Sequence, residues 1–265
     1  MTPQQPTLHS MTNEAASGAP RFSIITATFN CSDLFDRTAA SLRSQTFKDF
    51  EWIVIDGLSR DDTVEHIKTN EDIVTYWISE KDSGISDAWN KGLVQAKGEY
   101  VLMLNAGDTY DPEFLGQVNL HARDDSRVVC SHARLCTSDG RVVGVIRSEP
   151  HKLYRAMHLA HNWCAVPRKH YIALGGFRIM RFAMDFEWFH KYFRLYGADG
   201  FTVIDAALGT YHLGGVSDAN FAASFRTNSE ILRAHGTSWV VAGFWRFAYT
   251  FKHALRTMRV KEKVL

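Results

Sequence analysis

"FSIITATFNCSDLFDRTAASLRSQ", residues 22 to 45, decides the architecture of this chain. Its opening, Phe22 to Phe29, is a β-branched and aromatic run of strand length. Leu34, Phe35, Thr38 and Leu42 then recur at helical spacing behind a Ser-Asp start signal. The same strand-then-helix unit returns in "EWIVID" (51–56) with "SRDDTVEHIKT" (59–69), and in "IVTYWIS" (73–79) with "GISDAWNKGLVQA" (84–96). A further strand signal follows in "EYVLMLN" (99–105). Such alternation predicts a parallel sheet with helices on both faces. Open sheets of this kind bind ligands beyond the carboxyl ends of their strands.

Polar residues collect at those ends. Thr26, Thr28 and Asn30 stand at the exit of the first strand, Asp56 and Gly57 at the exit of the second, and Asn105 to Asp108 at the exit of the fourth. In "VLMLNAGDTY" (101–110) an apolar run gives way to an amide, two tiny residues and the carboxylate of Asp108. Asp56 and Ser59 also suit capping of the next helix, but the joint occurrence at three strand ends favours a site.

Composition bounds what the site can be. The 265 residues, 45% hydrophobic and 22% charged, suffice for one large domain with a short appendage. A formal net charge of +1 supplies no field for nucleic acid, so no nucleic-acid partner is expected. Cys31, Cys130, Cys136 and Cys164 lack metal-ligand spacing and read as reduced thiols of a cytoplasmic protein. Residues 1–20 read as a disordered lead-in, without the charged and apolar halves of a signal peptide. No run reaches the roughly 20 apolar residues of a membrane span, which leaves peripheral attachment to the cytoplasmic membrane face open. Neither GxGxxG nor GxxxxGK[ST] is present, so a dinucleotide-binding dehydrogenase and a P-loop enzyme are disfavoured. A bound diphosphate would then need another counter-charge. Asp108 in "NAGD" (105–108) offers an oxygen ligand of the kind Mg²⁺ or Mn²⁺ prefers.

Together "SIITATFN" (23–30), "WIVIDGLSRDDT" (52–63), "SEKDSGISDAWNKGLVQAKGEYVLMLNAGD" (79–108), "MDFEWF" (184–189) and "YHLGGVS" (211–217) resemble the successive motifs of family-2 glycosyltransferases with the GT-A fold. The match is closest to small bacterial enzymes of polysaccharide and glycolipid assembly. The resemblance implies an α/β fold with a mainly parallel, Rossmann-like sheet flanked by helices. It also implies a GT-A domain over residues 21–220 and a C-terminal helical segment over 221–265. It assigns Thr26, Thr28, Asn30 and Asp56 to the nucleoside, and Asp82, Gly84, Asp87, Asn90 and Lys91 to a segment closing over base and ribose. Lys91 reads equally as a solvated helix lysine. Asn105 stands where the family's Asp-x-Asp metal motif often has its first carboxylate, leaving Asp108 as chief ligand. His212 is expected near the diphosphate or metal, or else as a loop histidine.

The activity so implied is inverting, metal-dependent transfer of a sugar from a nucleotide diphosphate sugar to a hydroxyl of a glycan or lipid-linked acceptor. A UDP-sugar comes first, with GDP- and dTDP-sugars next. Deprotonating the hydroxyl calls for a carboxylate at the head of an acceptor-side helix. Asp185 matches that place, with Glu187 as substitute, and Asp185 also reads as a helix-capping carboxylate. A nucleotidyltransferase and a noncatalytic nucleotide-sugar binding protein are the alternatives. In "HKLYRAMHLAH" (151–161), His158 and His161 fall three apart on a presumed helix, and His161 resembles a family position near the active site. The tail combines Phe244, Trp245, Phe247, Tyr249 and Phe251 with Arg246, Lys252, Arg256, Arg259, Lys261 and Lys263. That composition suits an interfacial helix on an anionic membrane surface, and also core packing or a homodimer contact.

Overall fold

Successive residues of the first strand are buried on opposite sides, which explains helices on both faces of the sheet. The computed structural model describes residues 18–262 except 124–125, 138 and 215–220. Residues 1–17 of the expected lead-in and part of the "YHLGGVS" turn therefore lie outside the described residues. In chain order the elements are β1 (Phe22–Thr28), α1 (Ser32–Arg43), β2 (Phe50–Asp56), α2 (Thr63–Thr69), β3 (Tyr76–Ser79), α3 (Ile85–Gln95), β4 (Tyr100–Met103) and β5 (Thr109–Tyr110). They continue as α4 (Phe114–His121), β6 (Val128–Cys136), β7 (Val142–Ile146), β8 (Cys164–Pro167), α5 (Arg168–Leu174), α6 (Met184–Tyr196), β9 (Phe201–His212), α7 (Phe221–Ala234) and α8 (Trp239–Glu262).

Strand order is β3-β2-β1-β4-β8-β6-β9-β5, with β7 added to β6. The first four strands are parallel, with Phe22 opposite both Phe50 and Tyr100, and Ile53 opposite Tyr76. These are the strands whose linking segments carry the helical pattern, and parallel neighbours need such crossovers. Beyond β4 the sheet is mixed: β8 runs antiparallel to β4 and β6, β9 parallel to β6, and β5 antiparallel to β9. The sheet is thus a parallel half joined to a mixed half.

Ile24, Trp52, Val54 and Leu102 face one core with Phe35, Ala39 and Leu42 of α1 and Phe114 and Val118 of α4. Their sequence neighbours Ile25, Ile53, Ile55 and Val101 face the other, with Trp89 and Leu93 of α3 and Phe186, Trp188 and Tyr192 of α6. Ile231 and Leu232 of α7 and Ala242 of α8 are buried in this second core, so both C-terminal helices are anchored on the domain. The presumed helix over 151–161 is absent. Between 3-10 turns at Pro150–Lys152 and His161–Trp163 the chain is irregular and buries Leu153, Ala156, Leu159 and Ala160. His158 meets the Tyr249 hydroxyl at 2.6 Å, whereas His161 faces α6, so the two histidines serve different elements.

One close approach locks the mixed half. Gly209 pairs with Tyr110, and a Cβ there would lie 2.0 Å from Trp163 Nε1 and 2.3 Å from the Thr109 carbonyl oxygen. Overpacking of this kind costs about 1 to 3 kcal/mol. Gly209→Ala is therefore expected to lower unfolding free energy by that amount in urea titration, and an unchanged midpoint would contradict the packing.

Candidate active site

The exits of β1, β2 and β3 are tied together by one carboxylate. Asp56 is fully buried, and it accepts from the Thr28 hydroxyl (3.1 Å), the Ser59 amide (2.9 Å), the Ser59 hydroxyl and the Ser79 hydroxyl (2.6 Å). Asp56, expected to accept from a base N–H, spends its lone pairs on protein donors and organises three strand ends. Thr26 is likewise a core hydroxyl, accepting from the Trp52 indole at 2.9 Å beneath α1, and it does not face the cleft. Thr28 is buried as Asp56's partner. Asn30, exposed and at φ 49°, accepts from the Arg60 amide at 2.8 Å and shapes the rim instead. Cys31 beside it is no nucleophile, because burial pushes its thiol up to about 11.

The segment before α3 folds over this rim. Gly57 has no room for a side chain, since a Cβ would sit 2.7 Å from Asp82 Oδ2. Asp82 accepts from the Gly84 amide (2.9 Å) and Asp87 from the Ser83 amide (2.9 Å), while Gly84 takes φ 109°, a left-handed conformation that favours glycine. Lys91 is no solvated lysine: it pairs with Glu80 at 2.7 Å and donates to the Lys81 carbonyl at 3.0 Å. Asn90 clamps Phe177 through both its amide groups, at 2.7 and 2.8 Å. Asp87, Asn90 and Lys91 thus spend their polar atoms holding the segment. Asp82 and Gly84 stand at the opening.

At the exit of β4 a second carboxylate is buried. Asp108 accepts from the Asn162 amide and, at 3.1 Å, from the His212 backbone N–H. Its loop is pinned by Thr38 of α1, whose hydroxyl accepts from the Gly107 amide (2.9 Å) and donates to the Asp108 carbonyl (3.0 Å). Around it, Asn105 Oδ1, Asn162 Oδ1 and His212 Nδ1 are buried with no hydrogen-bond partner among the described residues. Orphaned acceptors at one place are costly unless a ligand satisfies them. Burial, and then Arg37, hold His212 below the usual histidine range, so its ring is neutral and carries one lone-pair nitrogen. Carboxylate, amide oxygen and imidazole nitrogen fit Mn²⁺, or Mg²⁺ with oxygen donors alone. Among the described residues no group of three or more His, Cys, Asp or Glu forms a cage, so a cation held here would need donors from a bound diphosphate.

Asp185 stands at the head of α6, after Ala183 in a left-handed conformation (φ 61°) that costs a non-glycine residue about 1 to 2 kcal/mol. Its Oδ1 accepts from the Phe186 amide (2.8 Å), while Oδ2 meets His161 Nδ1 at 3.2 Å. Burial holds His161 below its ordinary pKa against the pull of Asp185, so a neutral ring sits beside the carboxylate. Glu187, two residues on, faces the other way and is an electrostatic neighbour of His235 beyond α7. The 3-10 turn His161–Trp163 therefore joins two sites: His161 holds Asp185 and Asn162 holds Asp108, with the Asn162 carbonyl accepting from the Tyr110 hydroxyl at 2.7 Å. Sequence reading missed Asn162, although "HN" before the apolar "WCAV" signalled polar groups entering a buried strand.

Comparison with known proteins identifies the family and the fold. Residues 23–189 match the family described as Glycosyl transferase family 2. The Escherichia coli protein named UDP-Glc:alpha-D-GlcNAc-diphosphoundecaprenol beta-1,3-glucosyltransferase WfaP is 32% identical over 137 residues, which are 51% of this chain and 54% of that protein. S. aureus TarS 1-349, solved in complex with UDP-GlcNAc, superposes with TM-score 0.62 at 19% identity, covering 84% of this chain and 69% of that one. Glucosyl-3-phosphoglycerate synthase from Mycobacterium tuberculosis, solved with Mn²⁺, UDP and glucosyl-3-phosphoglycerate, gives TM-score 0.57 at 16% identity, covering 83% of this chain and 81% of that one. The aligned stretches span 30% to 54% of the curated relatives' own lengths.

Removing the Asp56 carboxylate should leave its buried hydroxyl and amide donors unpaired, at about 1 to 3 kcal/mol for each group stranded. Asp56→Ala is thus expected to lose at least about 2 kcal/mol of stability by denaturant unfolding. A variant as stable as the parent, with nucleotide affinity alone reduced, would restore Asp56 to the ligand.

Proposed function

Because the chain belongs to glycosyl transferase family 2, we propose that it moves a sugar from a nucleotide diphosphate sugar to a hydroxyl of a glycan or lipid-linked acceptor. The observation that carries this reading is the His161–Trp163 turn. A diphosphate-side carboxylate and an acceptor-side carboxylate hang from adjacent residues of one short, buried segment.

Transfer to a hydroxyl requires a base for a nucleophile that is protonated at neutral pH, and a counter-charge for the departing diphosphate. Asp108, with Asn105 Oδ1 and His212 Nδ1 left unpartnered beside it, would hold Mn²⁺ or Mg²⁺. When bound, the ion supplies Lewis-acid stabilisation of the leaving oxygens. Asp185 takes the acceptor proton on Oδ2. There the neutral His161 fixes the carboxylate's orientation without neutralising its charge. One base on the acceptor side is what attack opposite the leaving group needs, so the anomeric centre inverts. Asp82 and Gly84 at the rim meet the nucleoside together with Asn30. Asp87, Asn90 and Lys91 hold that rim in place, and Glu187 plays no part.

A UDP-sugar is the donor favoured by the TarS and synthase complexes, with GDP- and dTDP-sugars behind it. The WfaP name supports an acceptor built on a lipid diphosphate. A nucleotidyltransferase would have no use for the half-buried Asp185–His161 pair, and neither would a noncatalytic binder.

A general base contributes typically 10²- to 10⁴-fold. Asp185→Asn should therefore lower kcat by about that range with donor affinity little changed, while Glu187→Gln stays near normal. Asp108→Ala should abolish the Mn²⁺-stimulated part of turnover. NMR of the product should show inverted configuration. A retained anomer, or full turnover by Asp185→Asn, would sink the single-base mechanism.

A further inference from the structure

The outward face of α8 has no role in that chemistry. At 3.6 residues per turn, Val240, Phe244, Phe247 and Phe251 fall within an arc of about 60°, and all are open to solvent, at 57%, 59%, 71% and 56% exposure. Ala242, Trp245 and Tyr249 occupy an arc of similar width on the opposite side. This inner face is moored: Ala242 is fully buried, Arg155 lies 4.8 Å over the Trp245 ring, and Tyr249 meets His158 at 2.6 Å and stacks on Phe225. The helix is therefore held to the domain by one side while presenting an unbroken aromatic stripe on the other.

Charge selects what covers the stripe. From Ile231 to Lys261 the sequence contains no Asp or Glu, yet it carries Arg233, Arg246, Lys252, Arg256, Arg259 and Lys261. The whole chain is nearly neutral at +1, so this excess is local. Aromatic side chains on one face of a helix otherwise rich in cations are what an anionic lipid interface binds. A second copy is the poorer partner, because a two-fold interface sets this acid-free segment against itself. No helix among the described residues is long and apolar enough to cross a membrane, so α8 would lie along the surface.

We propose that α8 docks this protein on an anionic lipid bilayer through the Val240–Phe244–Phe247–Phe251 stripe. Docking needs neither donor nor acceptor and stands apart from the transfer reaction. The test is flotation of the full chain with vesicles of phosphatidylglycerol and phosphatidylcholine, beside vesicles of phosphatidylcholine alone. The parent should float with the anionic vesicles, be released as salt rises from about 0.05 to 0.5 M because the Debye length shrinks several-fold, and float poorly with phosphatidylcholine. Phe247→Ser/Phe251→Ser, changing exposed residues only, should keep the parental Tm and lower the bound fraction about tenfold or more, as lost aromatic burial requires. Phe244→Ser provides the same readout should the double variant melt early. Three results would overturn the proposal: a parent that ignores anionic vesicles, variants of parental Tm that bind as the parent does, or a parent that sediments as a dimer which Phe247→Ser dissociates.

Discussion

A carboxylate buried at the end of a strand must be surrounded by donors, and Asp108 is where this requirement shapes the molecule. Donors to it come from parts of the chain far from β4: the side chain of Asn162, ahead of β8, and the backbone of His212, at the end of β9. Satisfying it therefore closes the mixed half of the sheet onto the parallel half. Breaking a buried charge from one of its partners is far more costly than the bond is worth in isolation. The closure is cooperative for that reason, and the Tyr110 hydroxyl and the tight Gly209–Trp163 contact brace the same turn from the other side.

Strain follows the same geography. Among the described residues the non-glycine positions with positive φ are Asn30, Leu58 and Ala183. Two flank the Asp56 network at the exits of β1 and β2, and the third immediately precedes the α6 turn that carries Asp185. None of these residues is a type that eases into the left-handed region except Asn30. Packing that over-determines such conformations is characteristic of loops fixed for a ligand, and here the hydrogen bonds to Asp56, Ser59 and Arg60 supply the constraint at the first two exits.

The parallel half was legible because each of its strands is a run of apolar residues and the first three are each followed by a helix, so local pattern and global fold agree. The mixed half was not: β5 has two residues, β8 four, and their pairing is dictated by distant partners. Histidines three apart suggested a helix over 151–161, but burial of Leu153, Ala156, Leu159 and Ala160 draws the chain inward between two short turns. At the site, sequence indicated which residues gather at the strand ends and not which way they turn. Asp56 and Thr26 face inward, whereas Asp108 and Asp185 stand beside orphaned acceptors. Asn162 was missed because an amide at a strand entrance has no spacing rule: "HN" before "WCAV" marked polar groups there, and the contact with Asp108 shows what this one does.

Asn105 in place of a carboxylate changes what the diphosphate side can do. One formal charge, with each oxygen already accepting a protein hydrogen bond from Asn162 or the His212 amide, is a weak electrostatic trap for a divalent ion. Hard cations bound by so few protein oxygens complete their shells with phosphate. On the proposed reading, ion and donor therefore bind with positive coupling, and linkage requires the coupling to be mutual: the donor raises affinity for the ion as much as the ion raises affinity for the donor. The unpartnered Asn105 Oδ1 and His212 Nδ1 suit that arrangement. Neither carries charge that would hold an ion alone, and each gains its missing contact when the diphosphate and the ion arrive together.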